Sequence, residues 1–140
     1  MTARAVLDAS AAVHLVMNGE HASWLAAKLE EAALVTAPDL FCSEVASALC
    51  KYVRAKDLTL DAAILRYDEC THLVDSLIPG RTGTVEALSA AARHRHSVYD
   101  MMYAVLARRS SALVITMDRS FALTLREMEI ETCCPRLAAG

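Results

Sequence analysis

The sequence predicts an α/β fold: a three-layer α/β/α sandwich around a mainly parallel central sheet of four to five strands. Two observations support this prediction. Short apolar runs typical of buried strands alternate with longer stretches in which apolar residues recur at helical spacing. Strands separated by helices pair in parallel through right-handed crossovers, which places helices on both faces of the sheet. No linker, repeat or low-complexity tract interrupts the alternation, so residues 1–140 are expected to form a single domain.

The first half of the chain is predicted to contain two strands and three helices. In order, they are a strand at 4–7, a helix from about 10 to 17, a helix at 21–32, a strand at 34–37 and a helix at 38–56. Asn18-Gly19 is a pair that commonly ends a helix and begins a turn. Pro38 suits the first turn of the long helix, because its φ is fixed and a missing N–H costs nothing there.

The second half continues the alternation. The predicted elements are a helix at about 60–74, a strand at 76–78, helices at about 84–94 and 98–109, a strand at 113–116, a helix at 120–128 and a strand at 130–133. Thr59 is a suitable N-cap for the first of these helices. Pro79-Gly80 closes the short strand before it with a turn.

Composition and charge restrict the classes of protein to consider. No apolar run approaches the roughly 18 residues of a membrane span, and the first residues lack a signal peptide's hydrophobic region, so we expect a cytoplasmic protein. The five cysteines form no C-x-x-C pair, which favours free thiols. A net charge of −3 argues against a protein that coats nucleic acid, but leaves room for a local basic patch. The 55% hydrophobic content makes a homodimer plausible in so small a domain.

Four acidic residues are the candidate site. Asp8, Asp100 and Asp118 each lie where an apolar stretch gives way to a helix, and such junctions gather at one edge of a parallel sheet. Glu44 lies on an apolar helical face, with no Lys or Arg three or four residues away. Four carboxylates at one edge repel one another unless some are protonated or cations neutralise them. Because oxygen ligands favour hard cations, the pattern predicts Mg²⁺ or Mn²⁺ and metal-dependent phosphodiester chemistry.

Each acid also has a simpler explanation. Asp8 and Asp118 could be N-caps, and Asp100 could complete a capping box with Ser97. Glu44 could be a boundary residue whose carboxylate reaches water, since burying it unpaired would be costly. These explanations require a separate role for each acid, whereas one metal site accounts for all four.

Four segments resemble, in order and spacing, the acidic motifs of PIN-domain ribonucleases, and especially those of VapC-type toxins. They are VLDAS at 6–10, PDLFCSEVASAL at 38–49, HSVYDMMYAVLA at 96–107 and LVITMDRSF at 113–121. The resemblance implies a parallel sheet between helices, Mg²⁺- or Mn²⁺-dependent cleavage of single-stranded RNA regions, and a small antitoxin as partner. It places the four acids at the family's acidic positions, and Ser10 and Thr116 at neighbouring hydroxyl positions. No further acid directly follows Asp118, which leaves one or two metals open.

Roles follow from the chemistry of phosphodiester cleavage, which needs an activated water and neutralised charge. Asp8 and Asp100 are the first choice as metal ligands, and Asp118 and Glu44 would complete the site. Ser10 and Thr116 could orient the carboxylates, or could be ordinary capping and turn hydroxyls.

Three arginines are candidate RNA contacts: Arg119, which follows an acid, and Arg93 and Arg95 in the run before Asp100. A solvated helix end also explains that run, because basic groups suit a helix C-terminus.

Three other classes of protein also retain acids at the ends of strands. A phospho-receiver domain would have paired acids after the first strand and a late lysine, but no lysine follows Lys56. A haloacid-dehalogenase-like phosphatase would have an aspartate where Ser10 stands. A non-catalytic PIN-like module that binds RNA or protein and retains a structural cation site stays open.

Overall fold

The computed structural model describes residues 3–138 and confirms the predicted α/β/α sandwich. The five strands are β1 (Ala3–Leu7), β2 (Ala32–Pro38), β3 (Ser76–Ile78), β4 (Leu113–Ile115) and β5 (Thr132–Cys133). The eight α-helices are α1 (Ala9–Val16), α2 (Ala22–Glu31), α3 (Leu40–Arg54), α4 (Leu60–His72), α5 (Thr84–His94), α6 (Val98–Ser110), α7 (Arg119–Glu127) and α8 (Pro135–Ala138). None of these helices is long and apolar enough to cross a membrane.

All strands of the sheet are parallel, in the order β3-β2-β1-β4-β5. The chain proceeds from β1 outward through β2 to β3, and then returns to form β4 on the other side of β1. The strand order therefore reverses between β1 and β4. In open parallel sheets, ligands bind in the crevice at the carboxyl end of such a reversal.

The helices cover the sheet in two groups. In one group, α1 packs against α2, α3 and α4; in the other, α6 lies across β1, β2 and β4, with α5 packed on it. The core between them is formed by fully buried apolar side chains, of which Phe41, Tyr103 and Phe121 are the largest. Burial of each aromatic side chain contributes on the order of 2 kcal/mol of stability.

Element boundaries differ from the predicted ones in β2 and in the last strand. β2 begins at Ala32 and includes Pro38, which pairs with Ile78 of β3, so the prediction that Pro38 lies in the first turn of the long helix was wrong.

β5 contains only Thr132–Cys133, although the apolar run predicted a strand from residue 130. Glu129 adopts a left-handed conformation with φ of 59°, and the N–H of Ile130 donates to the carbonyl of Leu125. These residues close the end of α7 in the manner of a Schellman motif, which withholds them from the sheet. The short helix α8 was not predicted.

Candidate active site

Asp8 lies at the reversal of strand order, directly after β1. Its side chain is 6% exposed and forms no capping bond to α1, which begins beside it. The hydroxyl of Thr116 donates to Oδ2 of Asp8 at 2.6 Å, and that of Ser10 donates to the same oxygen at 2.8 Å. Capping therefore does not explain this carboxylate, because two side-chain hydroxyls hold it instead.

Backbone N–H groups set the direction of both hydroxyls. Met117 N–H donates to Oγ of Ser10 at 3.1 Å, and Asp118 N–H donates to Oγ1 of Thr116 at 3.0 Å. Each hydroxyl thus accepts a hydrogen bond from a backbone N–H and donates one to Asp8. None of the hydrogen bonds within residues 3–138 ends on Oδ1 of Asp8, so this oxygen keeps its full capacity to accept.

Burial destabilises the ionised form of Asp8. Desolvation is the largest cause that raises the pKa of Asp8 from 3.8 to about 6, and the nearby Asp100 and Asp118 carboxylates raise it further. The hydrogen bonds from Thr116 and Ser10 lower the pKa, but do not cancel the effect of burial. A cation next to Oδ1 would remove this destabilisation.

Glu44 projects from α3 and accepts a hydrogen bond of 2.7 Å from the hydroxyl of Tyr103, on α6. Desolvation raises the pKa of Glu44, the bond from Tyr103 lowers it, and the carboxylates of Asp8 and Asp100 raise it. Burial and the adjacent carboxylates also raise the pKa of Tyr103, so its hydroxyl stays protonated and acts as a donor. No cation within residues 3–138 pairs with Glu44; its partner is a buried phenol.

Asp100 lies in the first turn of α6, where half of the expected capping box is present. Oγ of Ser97 accepts the N–H of Asp100 at 3.0 Å, as in a capping box. The carboxylate, however, contacts Nε2 of His96 through Oδ2 at 2.7 Å. His96 is held in place by its ring contact with Phe121, at 5.6 Å between centroids. Desolvation raises the pKa of Asp100, and the hydrogen bond with His96 opposes that rise.

Asp118 is the one acid of the four whose carboxylate caps a helix. Its Oδ1 accepts the N–H of Phe121 at 3.1 Å, at the start of α7. Its side chain is exposed, and Oδ2 is not needed for the cap. A capping role and a role in the site are therefore compatible for this residue.

The structure brings the four carboxylates into one region, where they act on one another electrostatically. Asp100 and Asp118 contribute to the raised pKa of Asp8, while Asp8 and Asp100 contribute to that of Glu44. Within residues 3–138, no three Asp, Glu, His or Cys side chains are close enough to enclose a metal ion as they stand. The donor set itself, anionic oxygens with one buried and incompletely hydrogen-bonded carboxylate, fits a hard divalent cation.

A cleft of about 790 Å³ opens beside the acids. Ser10, Met117 and Asp118 line the end nearest to Asp8. Its remaining wall carries three cations and an aromatic ring, from Lys51, Arg119, Arg136 and Tyr52. We call it the basic cleft.

Of the three arginines predicted from the sequence to contact RNA, only Arg119 lines the basic cleft. Arg93 and Arg95 are exposed and lie outside its lining. The sequence reading missed Lys51, Arg136, Tyr103 and His96. Lys51 carried a usable signal, because it follows Glu44 on α3 by two helical turns and so shares its side of the helix. His96 stands four residues before Asp100, and Tyr103 three residues after it.

Comparisons with known proteins identify the family and agree with the fold. The sequence model of the PIN domain family matches residues 5–124, a range that includes all four acids and both hydroxyl residues. A solved structure, described as the crystal structure of PAE2754 from Pyrobaculum aerophilum, superimposes with a TM-score of 0.69 over 100% of both chains at 23% identity. At that identity the likeness concerns the fold. The search of curated proteins found no match.

Proposed function

Because this chain belongs to the PIN domain family, whose members are in general nucleases, we propose that it is an Mg²⁺- or Mn²⁺-dependent endoribonuclease. We further propose that it is the toxin of a toxin–antitoxin pair, blocked by a small antitoxin protein. The motif resemblance at 6–10, 38–49, 96–107 and 113–121 supports this finer assignment.

The observation that carries the proposal is the environment of Asp8. Within residues 3–138 the carboxylate of Asp8 neither caps α1 nor pairs with a cation, and its only bonds come from two hydroxyls. It is buried at the reversal of strand order, close to three further carboxylates, with its pKa raised to about 6. A divalent cation at this position explains the burial, the clustered charge and the oxygen that accepts no hydrogen bond.

Each side chain then has a distinct part. Asp8 and Asp100 would hold the cation, and Asp118 and Glu44 would complete the site directly or through water. Ser10 and Thr116 orient Asp8, while Tyr103 and His96 orient Glu44 and Asp100, respectively. When bound, the cation supplies charge neutralisation at the phosphate and activation of water.

Cleavage of a mixed RNA pool with and without Mn²⁺ tests the activity. We expect cleavage that requires the cation and that falls by at least about 100-fold in Asp8→Asn and Asp100→Asn, because each variant keeps the side-chain shape but loses the ligand charge. Asp68→Asn, at an exposed position on α4, is the matched control. Retained Mn²⁺-dependent cleavage in both active-site variants would refute the assignment.

The alternative is a non-catalytic PIN-like module that binds RNA or protein and has a structural cation site. Both hypotheses predict a cation site, so the cleavage assay distinguishes them and calorimetry shows whether the cation binds. The alternative predicts Mn²⁺ binding that Asp8→Asn abolishes, together with no cleavage by the unaltered protein.

The proposed partners need tests of their own. A homodimer would show twice the chain mass in light scattering. A toxin would arrest growth on induction, and co-expression of a small protein from the neighbouring reading frame would restore growth. The proposed RNA contacts of Arg93 and Arg95 would appear as weaker RNA binding after their replacement by Gln.

A further inference from the structure

The basic cleft is built from elements that are distant in the sequence. Lys51 and Tyr52 come from α3, Arg119 begins α7, and Arg136 lies in α8. The cleft is continuous with the acidic site, because Asp118 belongs to both. Its volume of about 790 Å³ is within the usual range of ligand-binding clefts.

The three cations of the basic cleft have no ion-pair partner within residues 3–138. All three are exposed, and the acids on the lining are Asp57 and Asp118. The three cations outnumber the two carboxylates of the lining and have no ion-pair partner of their own among the described residues. This wall therefore attracts an anionic ligand.

The side chains of Tyr52 and His14 also line the basic cleft. Tyr52 is half-buried, so that part of its side chain is available to a ligand. His14 is fixed, because its Nε2 accepts the N–H of His21 at 3.0 Å and its ring stacks on that of His21. The pKa of His14 is lowered by burial first, and then by the charges of His21 and Arg136. His14 therefore presents a neutral ring rather than a fourth cation.

We infer that the basic cleft binds the single-stranded RNA segment that adjoins the scissile phosphate, with its phosphates on Lys51, Arg119 and Arg136 and a base against Tyr52. Cations that follow a backbone, together with an aromatic ring that receives a base, are the combination by which proteins hold single strands. A duplex would keep its bases stacked inside and leave the ring without a partner. This inference rests on the proposed nuclease function and assigns one side of its substrate.

Binding of a fluorescent single-stranded RNA, measured by anisotropy in EDTA at several salt concentrations, tests the phosphate contacts without interference from cleavage. The double variant Lys51→Gln/Arg136→Gln should bind more weakly. Its slope of log K against log salt should be shallower by about 1.4, at roughly 0.7 per lost contact with a single strand. Arg126→Gln removes one exposed charge from α7 outside the cleft, and should change binding less than about twofold. A double variant that behaves like Arg126→Gln would overturn the inference.

The stacking contact has a separate test. Tyr52→Phe should keep RNA affinity, whereas Tyr52→Leu should lower it by about fivefold or more, because stacking on an aromatic ring is lost. An RNA without bases should bind both variants equally. Thermal unfolding shows whether Tyr52→Leu retains the fold, which the comparison with Tyr52→Phe requires. Equal affinity of folded Tyr52→Leu and Tyr52→Phe for normal RNA would contradict base stacking at this position.

Failure of this inference can be distinguished from failure of the proposed function. If the unaltered protein does not cleave RNA but the cleft variants lose binding, the nuclease assignment is wrong and the RNA subsite stands. If the unaltered protein cleaves and the cleft variants bind and cleave like Arg126→Gln, the subsite is wrong and the nuclease stands. Two RNA substrates, each extended on one side of the cleaved bond only, test on which side the cleft binds. Lys51→Gln/Arg136→Gln should slow the cleavage of one of these substrates and not of the other. Equal slowing of both would count against a one-sided subsite.

Discussion

The hydroxyl of Tyr103 donates a hydrogen bond of 2.7 Å to Oε1 of Glu44, and so joins α6 to α3 across 59 residues of sequence. The bond lowers the pKa of Glu44 against the effect of burial. It also fixes the direction of a carboxylate that no cation among the described residues approaches. Tyr103 itself is completely buried, so its position is determined by the core.

Tyr103→Phe should therefore raise the pKa of Glu44 while leaving the core filled. We expect the acidic limb of the pH profile of Mn²⁺-dependent cleavage to move to higher pH, because Glu44 then stays protonated further up the pH scale. Loss of the hydrogen bond should lower the free energy of unfolding by about 1 kcal/mol. Tyr99→Phe, at a ring that is 64% exposed, is the control and should change neither quantity. An unchanged pH profile in Tyr103→Phe would show that Glu44 does not take part.

Asp8 should make the metal-free protein less stable as the pH rises. Its pKa is raised in the folded state, from 3.8 to about 6, so folding favours the protonated form. This contribution is fully present below pH 3.8 and is lost as the pH passes through about 6, at a cost of about 3 kcal/mol at neutral pH. Asp8→Asn can accept both hydroxyl bonds through its amide oxygen and carries no charge.

In thermal unfolding with EDTA, Asp8→Asn should thus have the higher melting temperature at pH 7. The difference should be much smaller at pH 4, where Asp8 is protonated in the folded state and partly protonated in the unfolded state. Unfolding followed by circular dichroism from pH 4 to pH 8 makes the comparison. A melting temperature for Asp8→Asn that is lower than that of the unaltered protein at pH 7 would argue against a destabilising charge.

Divalent cations should largely remove this difference in stability. At a Mn²⁺ concentration of about 100 times Kd, binding adds about 2.7 kcal/mol to the free energy of unfolding, which is several degrees in melting temperature. Asp8→Asn and Asp100→Asn should lose that increase. Calorimetry of the three proteins with and without millimolar Mn²⁺ provides the measurement. The same proteins in EDTA give the baseline. No stabilisation of the unaltered protein by Mg²⁺ or Mn²⁺ would count against a cation site.

His96 should affect cation affinity through Asp100. Side chains that orient a metal ligand typically alter affinity or activity by 10- to 100-fold when changed. We expect His96→Leu to raise the Mn²⁺ concentration for half-maximal cleavage by about 10-fold or more, and His96→Gln, which keeps a donor, to restore part of that loss. His72→Gln, at a side chain that is 75% exposed, should leave it unchanged. A merely structural role of His96 would alter thermal stability while leaving the half-maximal concentration the same.

The fold could be predicted from the sequence, and with it the edge of the sheet at which the candidate acids lie, for a physical reason. Hydrophobic spacing reports which segments are strands and which are helices, and parallel strands bring their carboxyl ends to one edge. Asp8 and Asp118 directly follow β1 and the turn after β4, so their neighbourhood follows from chain order once the sheet is parallel.

The partners of the acids could not be predicted in the same way. The bond between Tyr103 and Glu44 depends on how α3 and α6 pack, which hydrophobic spacing does not specify. His96 reaches Asp100 because Arg95 adopts a left-handed conformation with φ of 53°, a conformation uncommon for arginine. Lys51 and Arg136 meet in one cleft through tertiary packing alone.

The bond from Thr116 to Asp8 also means that the candidate site can be ordered only after β4 has been synthesised. Thr116 follows Asp8 by 108 residues, and β4 must pair with β1 before its hydroxyl can reach the carboxylate. A ribosome-bound chain that has emerged only as far as α6 contains Asp8, Glu44 and Asp100, but lacks the strand that orders the first of them. The chain must therefore be synthesised beyond Thr116 before Asp8 can be ordered in this way, and a chain that stops earlier lacks this arrangement of the candidate site.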